Sequence, residues 1–135
     1  MITYSDRKDL PNEGLLAIFR AVGWSDGSET DEMIRHFNAP FLHSTAVFSA
    51  WEGYRLIGCV RVLSDRIFRS FVYDLAVLPE YQGQGVGGQL MQLCMDAFPD
   101  SQWILETIPD KTGFYEKLGF AADKEIWMRK PGKWF

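Results

Sequence analysis

A chain of 135 residues, 47% hydrophobic and 24% charged, has the size and make-up of one folded domain, 1–135. Its formal net charge of −4 excludes binding driven by phosphate neutralisation, so no nucleic-acid partner is expected. No apolar run approaches a membrane span, and the opening MITYSDRKDLP lacks the apolar stretch of a signal peptide, so a cytoplasmic protein with no membrane partner is expected.

Residues 2–6 read as a short strand. Asp9 is placed to cap a helix with Pro11 in its first turn, and Leu15, Ile18, Phe19 and Val22 share one face of it. Gly23 stops that helix. Ser28 and Asp31 have the spacing of a capping box before a second short helix carrying Met33, Ile34 and Phe37, which Asn38 and Pro40 end. Three strand-like runs follow, 44–52, 54–64 and 69–78, the first two forming a hairpin about Gly53. Pro79 closes the third. A helix then begins near Val86, with Val86, Leu90, Leu93, Cys94 and Ala97 on its apolar face. Residues 103–108 read as a buried strand, 112–118 as a short helix ended by Gly119, and 121–130 as a last strand with Ile126 and Met128 turned one way. The order β-α-α-β-β-β-α-β-α-β describes an α+β fold, a mixed sheet flanked by helices.

Cys59 and Cys94 lie far apart in apolar stretches and read as buried small hydrophobes of a reduced protein. Neither has a nearby His, and His36 and His43 lack ligand spacing, so no metal is expected.

The chemistry lies in Gln82-Gly83-Gln84-Gly85-Val86-Gly87-Gly88, between a strand and a helix. Glycines let backbone approach a ligand closely, and the first N–H groups of the helix lack internal partners, so the loop suits a phosphate or pyrophosphate. A plain tight turn needs fewer than the four glycines found in six positions. Gly83, Gly85 and Gly88 also satisfy the dinucleotide fingerprint G-x-G-x-x-G, with Glu106 placed as its ribose-binding acid. Pro79-Glu80-Tyr81 oppose that reading, because the fingerprint follows its strand directly. So do the 29 residues left after Glu106, too few to complete a parallel sheet. No Gly-Lys-Ser/Thr follows, which excludes a Walker loop.

The segment LAVLPEYQGQGVGGQLM resembles motif A of the GNAT acetyltransferase superfamily. Gln82, Gly85 and Gly87 meet its Gln/Arg-x-x-Gly-x-Gly/Ala, and Leu75, Val77 and Pro79 meet the hydrophobic-x-Val-x-Pro before it. FYEKLGF, residues 114–120, is similar to a second motif of the family, about 30 residues downstream and in the family's element order.

The resemblance implies a splayed pair of strands, 69–78 and 103–108, that holds acetyl-CoA as co-substrate. Main-chain groups of Leu75, Ala76 and Val77 would pair with pantetheine. Gln82, Gly83, Gln84, Gly85, Val86, Gly87 and Gly88 would cradle the pyrophosphate. An N–H there, that of Val77, would polarise the thioester carbonyl. It implies direct attack of an amine on the thioester, with Tyr115 as the acid that protonates the departing thiolate. Asp74 beside the Leu-Ala-Val segment, or Glu106 on the facing strand, would take the amine proton. A non-catalytic acyl-CoA sensor on the same fold is the alternative. This chain departs from the family in carrying Ile108 where an Asn often contacts CoA. Its loop has no Arg or Lys, which leaves Lys111 or Lys117, or solvent, for the 3′-phosphate.

Trp24, Asp26, Glu29 and Asp31, in and just after the loop between the first two helices, form an aromatic and acidic rim suited to a cationic or aromatic amine, or a solvated loop with one packing Trp. The acceptor expected is a primary amine of a small molecule or peptide, and a homodimer is compatible with this reading.

Overall fold

The structure, a computed structural model, describes residues 1–133. Five strands form one sheet in sequence order: β1 (Ile2–Ser5), β2 (Ala46–Glu52), β3 (Arg55–Ser64), β4 (Arg69–Val77) and β5 (Gln102–Ile104). The first four are antiparallel to their neighbours, and β5 joins β4 in parallel. The helices are α1 (Asn12–Ala21), α2 (Asp31–Arg35), α3 (Ala39–Leu42), α4 (Val86–Ala97) and α5 (Thr112–Glu116). Leu56 to Val60 are all buried, an unbroken run that requires cover on both faces of β3. Gly14 of α1 lies over Leu56, and Leu90 of α4 reaches to 3.2 Å of where a Cβ on Gly58 would sit.

The mixed α+β architecture expected from the sequence is observed, with local differences. Asp9 does not cap α1; it is ion-paired with Arg7 at 2.7 Å, and Pro11 holds the cap position without a side-chain hydrogen bond. Thr30, not Ser28, caps α2, its Oγ1 accepting from the Met33 N–H at 3.2 Å. Asn38 and Pro40 open a helix of their own, α3, because proline fits a first turn where no N–H is needed. In α4 Met91 takes a place in the core and Ala97 is exposed.

Two differences shape the functional end. The strand expected over 103–108 pairs only through Ile104. The last strand, expected over 121–130, is not formed: residues 121–133 carry no regular secondary structure and are exposed along their length. The alternation there runs opposite to expectation. Ile126 and Met128 face solvent at 90% and 91% exposure, while Trp127 packs edge-on against Phe71 with centroids 6.5 Å apart.

Leu90 is fully buried and Ala97 is not. Leu90→Ala should lower stability by about 2–5 kcal/mol in chemical denaturation, whereas Ala97→Ser should stay within about 0.5 kcal/mol of the parent.

Candidate active site

Strands β4 and β5 pair at Arg69–Gln102, Ser70–Trp103 and Phe71–Ile104 and then part. β4 runs on to Val77 while residues 105–108 leave the sheet, so a cleft of about 870 Å³ opens between them. One wall is β4 from Phe71 to Leu75 with Val77; the other is Leu105 to Ile108 with Lys111, Phe114 and Tyr115.

Inside that wall β4 carries a bulge. Tyr73 pairs with Arg61 and Ala76 with Cys59, so Asp74 and Leu75 together face the single residue Val60. Asp74 takes the extra step at φ 55°, a left-handed conformation that Asp tolerates better than most residues. The bulge re-aims its carboxylate. Oδ2 accepts from Arg61 Nε at 2.5 Å, and the other oxygen has no hydrogen-bond partner among the described residues. Arg61 is itself stacked over the Tyr73 ring at 5.1 Å.

Beyond the bulge the ladder resumes. Leu78 donates its N–H to the Ile57 carbonyl at 2.8 Å. Antiparallel alternation therefore turns Ala76 toward β3 and Val77 away from it, with the Val77 N–H facing the gap. Gln82 Nε2 donates to the Val77 carbonyl at 2.9 Å, tying the glycine loop to the strand end.

The loop then delivers α4 to the cleft. Gly83 (φ 78°) and Gly85 (φ 84°) hold left-handed conformations, and Gly85 is the N-cap with no side-chain hydrogen bond. The first rung of the helix is Gln89 N–H to Gly85 carbonyl at 3.0 Å, so the N–H groups of Val86, Gly87 and Gly88 have no partner within it. They stand at the positive end of a 12-residue helix. At Gly87 a Cβ would come into ordinary contact with the Phe114 ring at 3.4 Å. At Gly88 a Cβ meets no atom within 4 Å.

Of the residues singled out from the sequence, Asp74, Leu75, Val77, Gln82, Gly83, Gly85, Gly87, Gly88 and Tyr115 line the cleft. Ala76, expected to pair with pantetheine, is buried and its backbone is turned to β3. Gln84 donates to the Glu80 carbonyl instead, and Val86 sends its side chain into the core, leaving only its N–H to the cleft. Glu106 lines the cleft and is ion-paired with Arg129, as Asp74 is with Arg61. Lys111 lies on the cleft as well.

Tyr115 is half-buried, boxed edge-on by Phe114 (4.9 Å) and Phe120 (5.9 Å). Burial penalises the phenolate and pushes its pKa above the usual 10.0, so the hydroxyl stays a proton donor across the neutral range.

From the loop after α1 only Trp24 reaches the cleft. Glu29 turns inward to Arg20 and Ser25, and Asp26 accepts from the Ser28 N–H at 3.0 Å, so the expected acidic rim does not form part of this site. Sequence reasoning missed Arg61, Phe71, Tyr73 and Trp127. Arg61 had a signal, a charge set between Val60 and Val62 in an otherwise apolar strand.

A model of the acetyltransferase (GNAT) domain matches residues 43–122, more than half of the chain. The chain belongs to the GNAT family. A histone acetyltransferase of Glycine max is 32% identical over 92% of this chain and 58% of its own length. A chloroplastic GCN5-related N-acetyltransferase of Arabidopsis thaliana is 38% identical over 53% of this chain and 29% of its own. The chain thus spans less than two thirds of each of these relatives. A GNAT family acetyltransferase structure from Streptococcus pneumoniae superposes with TM-score 0.77 at 31% identity, covering 97% of this chain and 100% of that one. Glucosamine-6-phosphate N-acetyltransferase of Arabidopsis thaliana shares the fold at TM-score 0.68 and 22% identity.

Acetyl-CoA, which this family implies, suits the residues present: three unpartnered helical N–H groups for a pyrophosphate and one open strand N–H at Val77. Because Gly88 is small for no reason of packing, Gly88→Leu should fold and melt at or above the parent temperature, leucine being the better helix former. Its side chain would occupy the cleft, and acetyl-CoA affinity measured by calorimetry should fall at least about tenfold, or 1.4 kcal/mol.

Proposed function

We propose that this GNAT domain transfers the acetyl group of acetyl-CoA to a primary amine of a small molecule or peptide by direct attack. The observation that carries the reading is the uncapped start of α4, opening its free N–H groups onto the gap where β4 leaves β5. Acetyl-CoA supplies an activated acyl group. The chain supplies position and protons.

The N–H groups of Val86, Gly87 and Gly88 hold the pyrophosphate without any basic side chain. The Val77 N–H, fixed by the strand on one side and by Gln82 on the other, is a preorganised donor for a carbonyl oxygen. An amine attacks only when neutral. The free carboxylate oxygen of Asp74 can take its proton, directly or through water, while Arg61 holds the other oxygen in place. Tyr115 keeps its proton at neutral pH and can give it to the leaving sulfur. Two buried free thiols, Cys59 and Cys94, fit a reducing compartment, and the cytoplasm is the location we propose. Burial pushes the Cys94 pKa up to about 12 and Cys59 higher still, so neither competes as a nucleophile.

Incubation with acetyl-CoA and a panel of primary amines should release free thiol in proportion to acetylated amine. Tight acetyl-CoA binding with no release for any amine would leave an acyl-CoA sensor. Asp74→Asn is a clean probe, because Asn accepts the same left-handed backbone while losing the charge. It should lower kcat with acetyl-CoA affinity unchanged, whereas Glu106→Gln should leave kcat close to that of the parent. Tyr115→Phe should bind acetyl-CoA like the parent and lose roughly 10²–10⁴-fold in kcat and in kcat/KM alike. With the phenol pKa raised, any alkaline fall in rate that comes from Tyr115 must lie above pH 10.0.

A further inference from the structure

The end of the cleft away from α4 is built differently from the loop end. Phe71 and Tyr73 lie on one face of β4, their rings stacked with centroids 6.2 Å apart. Phe71 is six residues before Val77, about 15–20 Å away along the strand, so this end is remote from the free N–H groups of α4. Trp24 arrives from the end of α1, anchored by its N–H to the Phe19 carbonyl at 2.9 Å and edge-on to the Phe19 ring. Trp127 arrives from the irregular segment 121–133 and stands on Phe71. All four aromatic residues line the cleft, and both tryptophans and Tyr73 keep more than a third of their surface exposed.

The carboxylates at this cleft are already matched. Its two carboxylates are held by guanidinium groups, Asp74 by Arg61 and Glu106 by Arg129. Among the described lining residues no unpaired carboxylate is left to attract a polycation, so selectivity falls to the aromatic faces. The two tryptophans are unequal. Trp24 follows directly on α1, a helix that packs into the core, and its backbone N–H is bonded back to that helix. Among the described residues the segment bearing Trp127 makes one hydrogen bond, a local one from the Glu125 N–H to the Asp123 carboxylate, and is tied to the rest by Phe71, Glu106 and Glu32, the last through Lys133 at 3.8 Å. Exposed ion pairs hold such a segment weakly.

We propose that residues 121–133 form a strap over the acceptor end, and that Trp127 is a specificity-determining residue selecting amines carried on a flat, apolar body. An aryl ring would lie between the Trp127 and Trp24 sides, above Phe71 and Tyr73, with its amine directed along β4 to Asp74. The Arg129–Glu106 pair is the latch that returns the strap once the acceptor has entered. This inference rests on reading the cleft as an acetyltransferase site, but it concerns binding and is measured on binding as well.

The probes are 2-phenylethylamine and n-butylamine, each titrated by calorimetry into the full chain saturated with CoA and each assayed for turnover with acetyl-CoA. The parent should prefer the aryl amine by about tenfold or more. Trp127→Ala should bring that preference to within about twofold, and Trp127→Phe should restore most of it, with acetyl-CoA affinity and melting temperature unchanged in both. Arg129→Gln should raise KM for the aryl amine with kcat unchanged. A parent without preference, or a preference that survives in Trp127→Ala, overturns the proposal while leaving acetyl transfer standing. Selective binding lost in Trp127→Ala, with no turnover of any amine, supports the strap and overturns the catalytic reading instead.

Discussion

The site depends on one failure of pairing. β4 and β5 stay together for three residues and then diverge, and everything chemical lies in the resulting gap. A parallel pair that remained closed would have satisfied its backbone groups internally and left no donor facing out. Because it opens, the Val77 N–H and the first turn of α4 face a common space, and the chain has polar main-chain groups with nothing of its own to bind. Those groups are tolerable where water or a ligand reaches them, which is why the gap is a cleft and not a packed seam.

The bulge in β4 adds the second requirement. Without the extra residue, Asp74 would follow the pleat of its neighbours. The left-handed step turns it out of that alternation, toward Arg61 on β3 and into the cleft. Arg61 is in turn clasped by the Tyr73 and Phe41 rings, so the carboxylate is fixed from a strand whose neighbouring residues Val60 and Val62 are core. A carboxylate placed by two strands and a backbone kink is more rigid than one on a loop, which suits the proton transfer we propose for it.

The sequence made the cofactor end legible and the acceptor end nearly illegible, for a physical reason. Main-chain recognition leaves its mark as glycine, and glycine is visible in a sequence. Gly83 and Gly85 are read correctly as conformational, and the element order through α4 and α5 follows from periodicity. Strand alternation also gave β2, β3 and β4 within two residues at each end. It failed at 121–130, because alternation there meets no partner strand: β5 stops at Ile104 and offers no ladder. The bulge was invisible for a similar reason. Asp74 looks like any polar residue in a strand until the register with β3 is known.

The two ends of the cleft therefore differ in how they bind and in how freely they can change. The loop end offers N–H groups that any side chain could carry, and Gly88 is small there although nothing in the chain crowds it. The fold alone would gain helix stability from almost any other residue there, since glycine inside a helix costs about 0.5–1 kcal/mol relative to alanine. The acceptor end reads its ligand through side chains drawn from the end of α1, from β4 and from the strap, segments remote in sequence and joined only by the fold. Substituting any of those rings leaves the sheet, the bulge and the free N–H groups in place. A site so divided holds one ligand fixed by backbone geometry while leaving the choice of the other to a few exposed aromatic residues.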